Sequence, residues 1–220
     1  MGSGMINFLS IPKRLIRLLF HPGDFYTHRI EPIFRHYKYP DCHPSAIVNS
    51  PIKFNPTGVV LGQGVYIFKN ARIGCVFEYA GEKFKPLLEI GEGTTIQQNV
   101  HITCAGNVRI GKFCALTHNI TITDIDHSYE YPIPRSIPPI LNKIIVNNLT
   151  IGDYCMIFPN AVILGGSVIG NNCIIAANAV VRGKFPDGCL IGGIPARIIK
   201  RYNPQSNKWE RTHPDGSFIE

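Results

Sequence analysis

A chain of 220 residues that is 45% hydrophobic and 17% charged can bury one sizeable core, which excludes a solvated, disordered tract as its general character. Its 22 Lys and Arg against 15 Asp and Glu give a formal charge of +7, yet they are scattered, with the densest grouping at Arg197, Lys200 and Arg201. Scattered basicity argues against nucleic acid as a partner, whereas a few cations at one end suit a small phosphorylated ligand.

Along the chain, Met1-Gly2-Ser3-Gly4 ahead of Met5 reads as an appended tag remnant. Ile6 to Phe20 mixes Phe8, Leu9, Leu15, Ile16, Leu18 and Leu19 with Lys13, Arg14 and Arg17, but Pro12 interrupts it and no apolar run reaches spanning length. Residues 5–56 are therefore expected to be a helical extension packed on the body of the protein. The basic face keeps a peripheral membrane contact open as the other reading.

From Leu61 onward a six-residue beat takes over. Its cleanest stretch sets Ile151, Ile157, Ile163, Ile169, Ile175 and Val181 at unbroken spacing, and four residues after each comes Cys155, Ala161, Ser167, Cys173, Ala179 and Phe185. A period of six fits neither a 3.6-residue helix nor a simple alternating strand, and predicts a solenoid of short parallel strands with two inward columns per hexad. Leu61, Ile67 and Ile73 form one expected coil, Ile90, Ile96 and Ile102 a second, and Ile110, Leu116 and Ile122 a third; Ile151 to Pro186 supplies two more. Tyr79 to Pro86 and Asp124 to Thr150 abandon the period and are expected to leave the wall as a small and a large excursion. The expected division is a solenoid over 57–196 with its loop at 124–150, then a C-terminal helix and tail over 197–220.

The seven cysteines include no CxxC, and Cys114, Cys155 and Cys173 fall in the small inward column, where they act as small hydrophobes. Reduced thiols and a cytoplasmic location are the expectation.

Chemistry points to histidine, the residue that titrates near neutrality without help. His21, His28, His36, His43 and His213 lie outside the coils, while His101, His118 and His127 lie on them. His127 falls where the third coil breaks into the long excursion, which makes it both positioned and exposed and thus a candidate general base. Asp124 and Asp126 beside it are candidates to hold its ring as the orienting member of a triad does, or to cap a turn instead. A metal site is the competing use of these histidines, but the spacings of 17 and 9 lack a close pair on one loop.

Ile110-Gly111-Lys112-Phe113-Cys114-Ala115, Asp126-His127-Ser128, Ile151-Gly152-Asp153 and the closing run Val180 to Gly188 with Gly192-Gly193-Ile194-Pro195-Ala196-Arg197 resemble the hexapeptide-repeat acyltransferases. The likeness lies especially with the branch of maltose, galactoside, lipopolysaccharide and capsule O-acetyltransferases, and covers Leu61 to Tyr202. It implies an all-β, left-handed parallel β-helix, a homotrimer, and acetyl-CoA as acyl donor lying between neighbouring solenoids, with no metal. It also implies His127 as the base that activates a sugar hydroxyl for direct transfer. By position it implies Ala177 against the pantetheine arm, Arg182 on the late coil, and Arg197 with Lys200 near the phosphates. Gln97 and Asn99 match the acceptor-contacting region, with a corner turn as the other reading for Asn99; Tyr129 and Tyr131 in the excursion are candidates to stack on a sugar, with packing as the other reading.

Met156, Phe158 and Pro159 depart from the family pattern where the cofactor groove would be lined. The insertion Tyr79 to Pro86, the extension Met5 to Pro56 and the tail Tyr202 to Glu220 with Trp209 depart as well, and these three favour the polysaccharide-modifying branch, with a sugar-nucleotide or lipid-linked acceptor. An antibiotic or serine acetyltransferase on the same scaffold, a gamma-class zinc carbonic anhydrase and a non-enzymatic scaffold are the alternatives.

Overall fold

The computed structural model describes residues 41–49, 51–128, 138 and 141–219. The expected helix before residue 41, residues 1–4, and Tyr129 and Tyr131 lie outside them. No helix among the described residues is long and apolar enough to cross a membrane.

The six-residue beat becomes a three-faced prism of stacked coils. The first face stacks Val59–Leu61, Leu87–Ile90, Asn107–Ile110, Leu149–Ile151, Val168–Ile169 and Lys184–Phe185. The second stacks Ile47–Val48, Tyr66–Ile67, Thr95–Ile96, Ala115–Leu116, Met156–Ile157, Ile174–Ile175 and Cys189–Gly193. The third runs from Lys53–Phe54 through Arg72–Cys75, His101–Cys104, Thr121–Thr123 and Val162–Leu164 to Val180–Val181.

All pairings within these stacks are parallel and in register. Ile90 lies beside Ile110 and Ile110 beside Ile151; Leu116 lies beside Ile157, and Ile122 beside Ile163. Each such aliphatic is shut from solvent, and full burial of a side chain this size contributes about 1.5–3 kcal/mol. The expected coils are thus the observed ones.

The small column has a reason beyond size. Thr94 Oγ1 donates to Gly111 O at 2.7 Å, and the buried thiols of Cys114, Cys155 and Cys173 donate to the carbonyls of Gly152, Gly170 and Pro186 at 3.2, 3.2 and 3.3 Å. Each staples one coil to the next. The glycine after each first-face aliphatic is required by close approach: a Cβ at Gly111 would lie 2.5 Å from the backbone carbon of Gly152, which cannot yield.

Two expectations are corrected. Strands Ile47–Val48 and Lys53–Phe54 put the first coil inside the stretch assigned to a helical extension, because Cys42, Val48 and Phe54 already keep the beat and Ala46 fills the small column. At the other end the anticipated C-terminal helix is a sheet: Ala196–Asn203 pairs antiparallel with Cys189–Gly193, and Lys208–Arg211 with Ala196–Asn203. Ala196 and Ile198 turn inward while Arg197 and Ile199 turn out, a period of two. This hairpin covers the edge that the last second-face strand would otherwise expose.

Candidate active site

The two excursions leave the prism at the same corner, between third and first face, two coils apart. After Thr121–Thr123 the chain reaches Asp124, which is buried at that corner. Its carboxylate accepts the amide N–H groups of Ala105 and Gly106 on the preceding coil at 2.8 and 2.7 Å. Burial pushes this carboxyl above its ordinary value, against the two N–H bonds that favour the charged form. Asn147 N donates to Asp124 O at 2.8 Å and closes the root of the excursion.

Beyond it, Ile125–His127 pairs antiparallel with Ile144–Val146, His127 opposite Ile144, and Ser128 N donates to Lys143 O at 3.0 Å. This short ribbon holds His127 exposed at the prism corner. Asp126 Oδ1 accepts the His127 backbone N–H at 3.0 Å, and its Oδ2 accepts Arg182 Nη2 at 2.9 Å. Among the described residues, therefore, neither Asp124 nor Asp126 hydrogen-bonds the His127 imidazole. Both were candidates to orient it, but Asp124 is committed to backbone amides and Asp126 to Arg182.

The ring instead meets Tyr79, with centroids 5.7 Å apart and planes at 67°. Tyr79 comes from the small excursion, a hairpin of Glu78–Tyr79 and Glu82–Lys83. Glu82 Oε1 of the same hairpin lies 2.8 Å from Lys143 Nζ on the ribbon side. Sequence reasoning marked this segment as an excursion but did not single out Tyr79. The available signal was the phase at which the beat breaks: both interruptions follow a third-face strand, so both emerge at one corner.

The remaining candidates are spread more widely. Gln97 and Asn99 lie at the opposite edge of the third face, where a column of asparagines turns the second face into the third. Asn70, Asn99, Asn119, Asn160 and Asn178 all have φ of 59–64°. Asn99 donates to Asn119 at 3.1 Å, Asn119 to Asn160 at 3.3 Å and Asn160 to Asn178 at 3.2 Å. Asn99 thus turns this corner, and within one chain it does not meet His127.

Exposed Ala177 and His118 sit in the same corner. His101 lies on the third face with Nε2 2.9 Å from Thr103 Oγ1, and burial followed by the charge of Arg72 hold its pKa below the ordinary value. Among the described residues no group of three or more His, Cys, Asp or Glu is placed to hold a metal ion.

Arg182, expected at the acyl donor, is drawn to Asp126 beside His127. Arg197 and Lys200 lie on the C-terminal sheet, Arg197 exposed with Nη1 donating to Ala196 O at 2.9 Å, and Lys200 opposite Arg211. Together with Arg201 they place cations at one end of the prism.

Residues 148–183 match the family model described as bacterial transferase hexapeptide, six repeats. Over 124 residues the chain is 34% identical to the putative lipopolysaccharide biosynthesis O-acetyl transferase WbbJ of Escherichia coli strain K12, a match that takes in 54% of this chain and 63% of that relative's length. A crystallised hexapeptide-repeat-containing acetyltransferase from Vibrio cholerae aligns at a TM-score of 0.53 and 26% identity, covering 65% of this chain and 73% of its own. A maltose O-acetyltransferase from Clostridium difficile 630 shares the fold at a TM-score of 0.53 and 23% identity, over 64% of this chain and 68% of its own. Matched repeats over residues 148–183, an in-register three-faced coil and these likenesses make the chain similar to hexapeptide-repeat transferases, built as a left-handed parallel β-helix.

Proposed function

We propose that this chain is an acetyl-CoA-dependent O-acetyltransferase that acts in the cytoplasm on a sugar hydroxyl of a surface-polysaccharide precursor, with His127 as general base. The observation that carries the reading is His127 itself: an exposed imidazole pinned by a two-stranded ribbon at the root of the excursion. The likeness to a lipopolysaccharide O-acetyl transferase supports the reaction class and the acceptor class.

In this mechanism neutral His127 takes the acceptor hydroxyl proton as the oxygen attacks the thioester carbonyl, so nucleophilicity rises only at the moment of attack. The tetrahedral oxyanion collapses, the carbon–sulfur bond breaks, and the coenzyme A thiolate takes the proton from the imidazolium. Acetyl ester and free thiol are the products, with no acyl-enzyme. Arg182 neutralises Asp126 next to this base, which keeps a free carboxylate from facing the incoming anionic donor. Arg197 and Lys200 suit the donor's phosphates. A homotrimer is part of the proposal, since it offers a way for the Gln97, Asn99 and Ala177 corner of a neighbouring copy to face His127.

The test is thiol release from acetyl-CoA across a panel of free, nucleotide-linked and lipid-linked sugars, beside His127→Asn. Loss of about 10²–10⁴-fold in turnover with an unchanged melting curve is expected. Wild-type turnover by the variant would overturn the assignment.

A further inference from the structure

We propose that Tyr79 is the positioning residue for the His127 imidazole, in the place that a carboxylate holds in a hydrogen-bonded triad. This rests on the reading of His127 as the base. An imidazole that must accept a proton along one direction needs its ring rotation restricted. Among the described residues, neither Asp124 nor Asp126 does this: Asp124 is held by Ala105 and Gly106, and Asp126 by Arg182 and the His127 main chain. The ring contact at His127 is with Tyr79, edge to face. That geometry limits rotation of both rings.

Tyr79 is in turn held by a stiff support. Its strands are joined by Ala80 and Gly81, both at positive φ, 48° and 78°, the tight turn whose twist matches a hairpin. Phe84 N donates to Phe77 O at 2.8 Å and closes the hairpin base. The hairpin then meets the His127 ribbon at a second point, Glu82 to Lys143 at 2.8 Å. One exposed ion pair is weak alone. Paired with the ring contact, it fixes both the distance and the angle between the hairpin and the ribbon. The small excursion thus has a use: it reaches along the prism corner to steady the base.

The experiment is carbon-13 relaxation of the histidine Cε1 groups in the full chain, with His127→Asn assigning the His127 signal, in wild type, Tyr79→Phe and Tyr79→Leu. In wild type and Tyr79→Phe the His127 ring is expected to be ordered. In Tyr79→Leu its resonance should shift as the ring current is lost, and its order parameter should fall. Glu82→Gln should loosen it less. With maltose, galactose and N-acetylglucosamine as acceptor probes, Tyr79→Leu should lower kcat about tenfold at unchanged KM for acetyl-CoA, and Tyr79→Phe should restore it.

An unmoved, equally ordered His127 signal in Tyr79→Leu overturns the proposal, and so does a mobile ring with undiminished kcat. Full turnover by His127→Asn would instead overturn the base assignment, while the relaxation data still judge the contact.

Discussion

Two corners of the same prism behave in opposite ways. Between second and third face every coil from Asn70 to Asn178 turns through an asparagine at left-handed φ, and the side-chain amides link coil to coil. Between third and first face the chain runs straight on after Cys104 but departs for a hairpin after Cys75 and for a long excursion after Thr123. The first corner repeats one local solution, so a residue there is interchangeable with its counterpart a coil away. At the second corner each coil differs, and Asp124 and Asp126 each have partners of their own. The proposed base lies where the repeat fails, because there the chain projects side chains that need not serve the next coil.

The comparison is tested most severely at Asp124. Asp124→Ala leaves the Ala105 and Gly106 amides without their acceptor, at about 1–3 kcal/mol for the buried Ala105 donor and less for the part-buried Gly106 one. The urea midpoint should fall accordingly. A shift of under about 0.5 kcal/mol would put this corner on the same footing as ordinary surface positions.

A smaller effect is expected at the regular corner. Asn119→Ala forces alanine into φ 60° and breaks two rungs of the ladder, which should cost about 1–2 kcal/mol. Asn119→Gly keeps the backbone geometry and loses only the exposed rungs, so it should be milder. Equal losses for the two variants would shift the weight from backbone conformation to the ladder.

The smallest effect concerns the third face that joins the two corners. His101 has its pKa held below the ordinary 6.5, so between 6.5 and its lower folded value the unfolded chain binds more protons than the folded one. Its contribution is therefore present above pH 6.5 and lost as pH falls. The melting temperature of His101→Gln should decline less than wild type between about pH 7.5 and 5.5. Parallel curves would mean that the imidazole titrates alike in both states.

Much of the wall was legible. The hexads from Leu61 to Val181 assigned each inward aliphatic to its coil, and the same beat was available in Cys42, Val48 and Phe54, where the basic, leucine-rich segment upstream drew the reading toward helix. At the other end Ala196 and Ile198 alternate with outward residues, a strand signal too short to compete with a helical expectation. The site was legible only in part. His127 could be found from the phase at which the beat breaks, but the partners of Asp124 lie on the previous coil, and Arg182 reaches Asp126 across 56 residues.

What the sequence by itself determined is the repeat: which residues face inward, where each coil turns, and at which phase the chain leaves the wall. All of these are local and periodic, since an inward aliphatic, a staple and a left-handed turn recur within one hexad. Only the tertiary structure decided who meets whom at the irregular corner. Stacking brings Tyr79 to His127, withdraws Asp124 into backbone amides and gives Asp126 to Arg182. Those contacts depend on how far each excursion reaches along the prism, a distance that no spacing within the chain encodes.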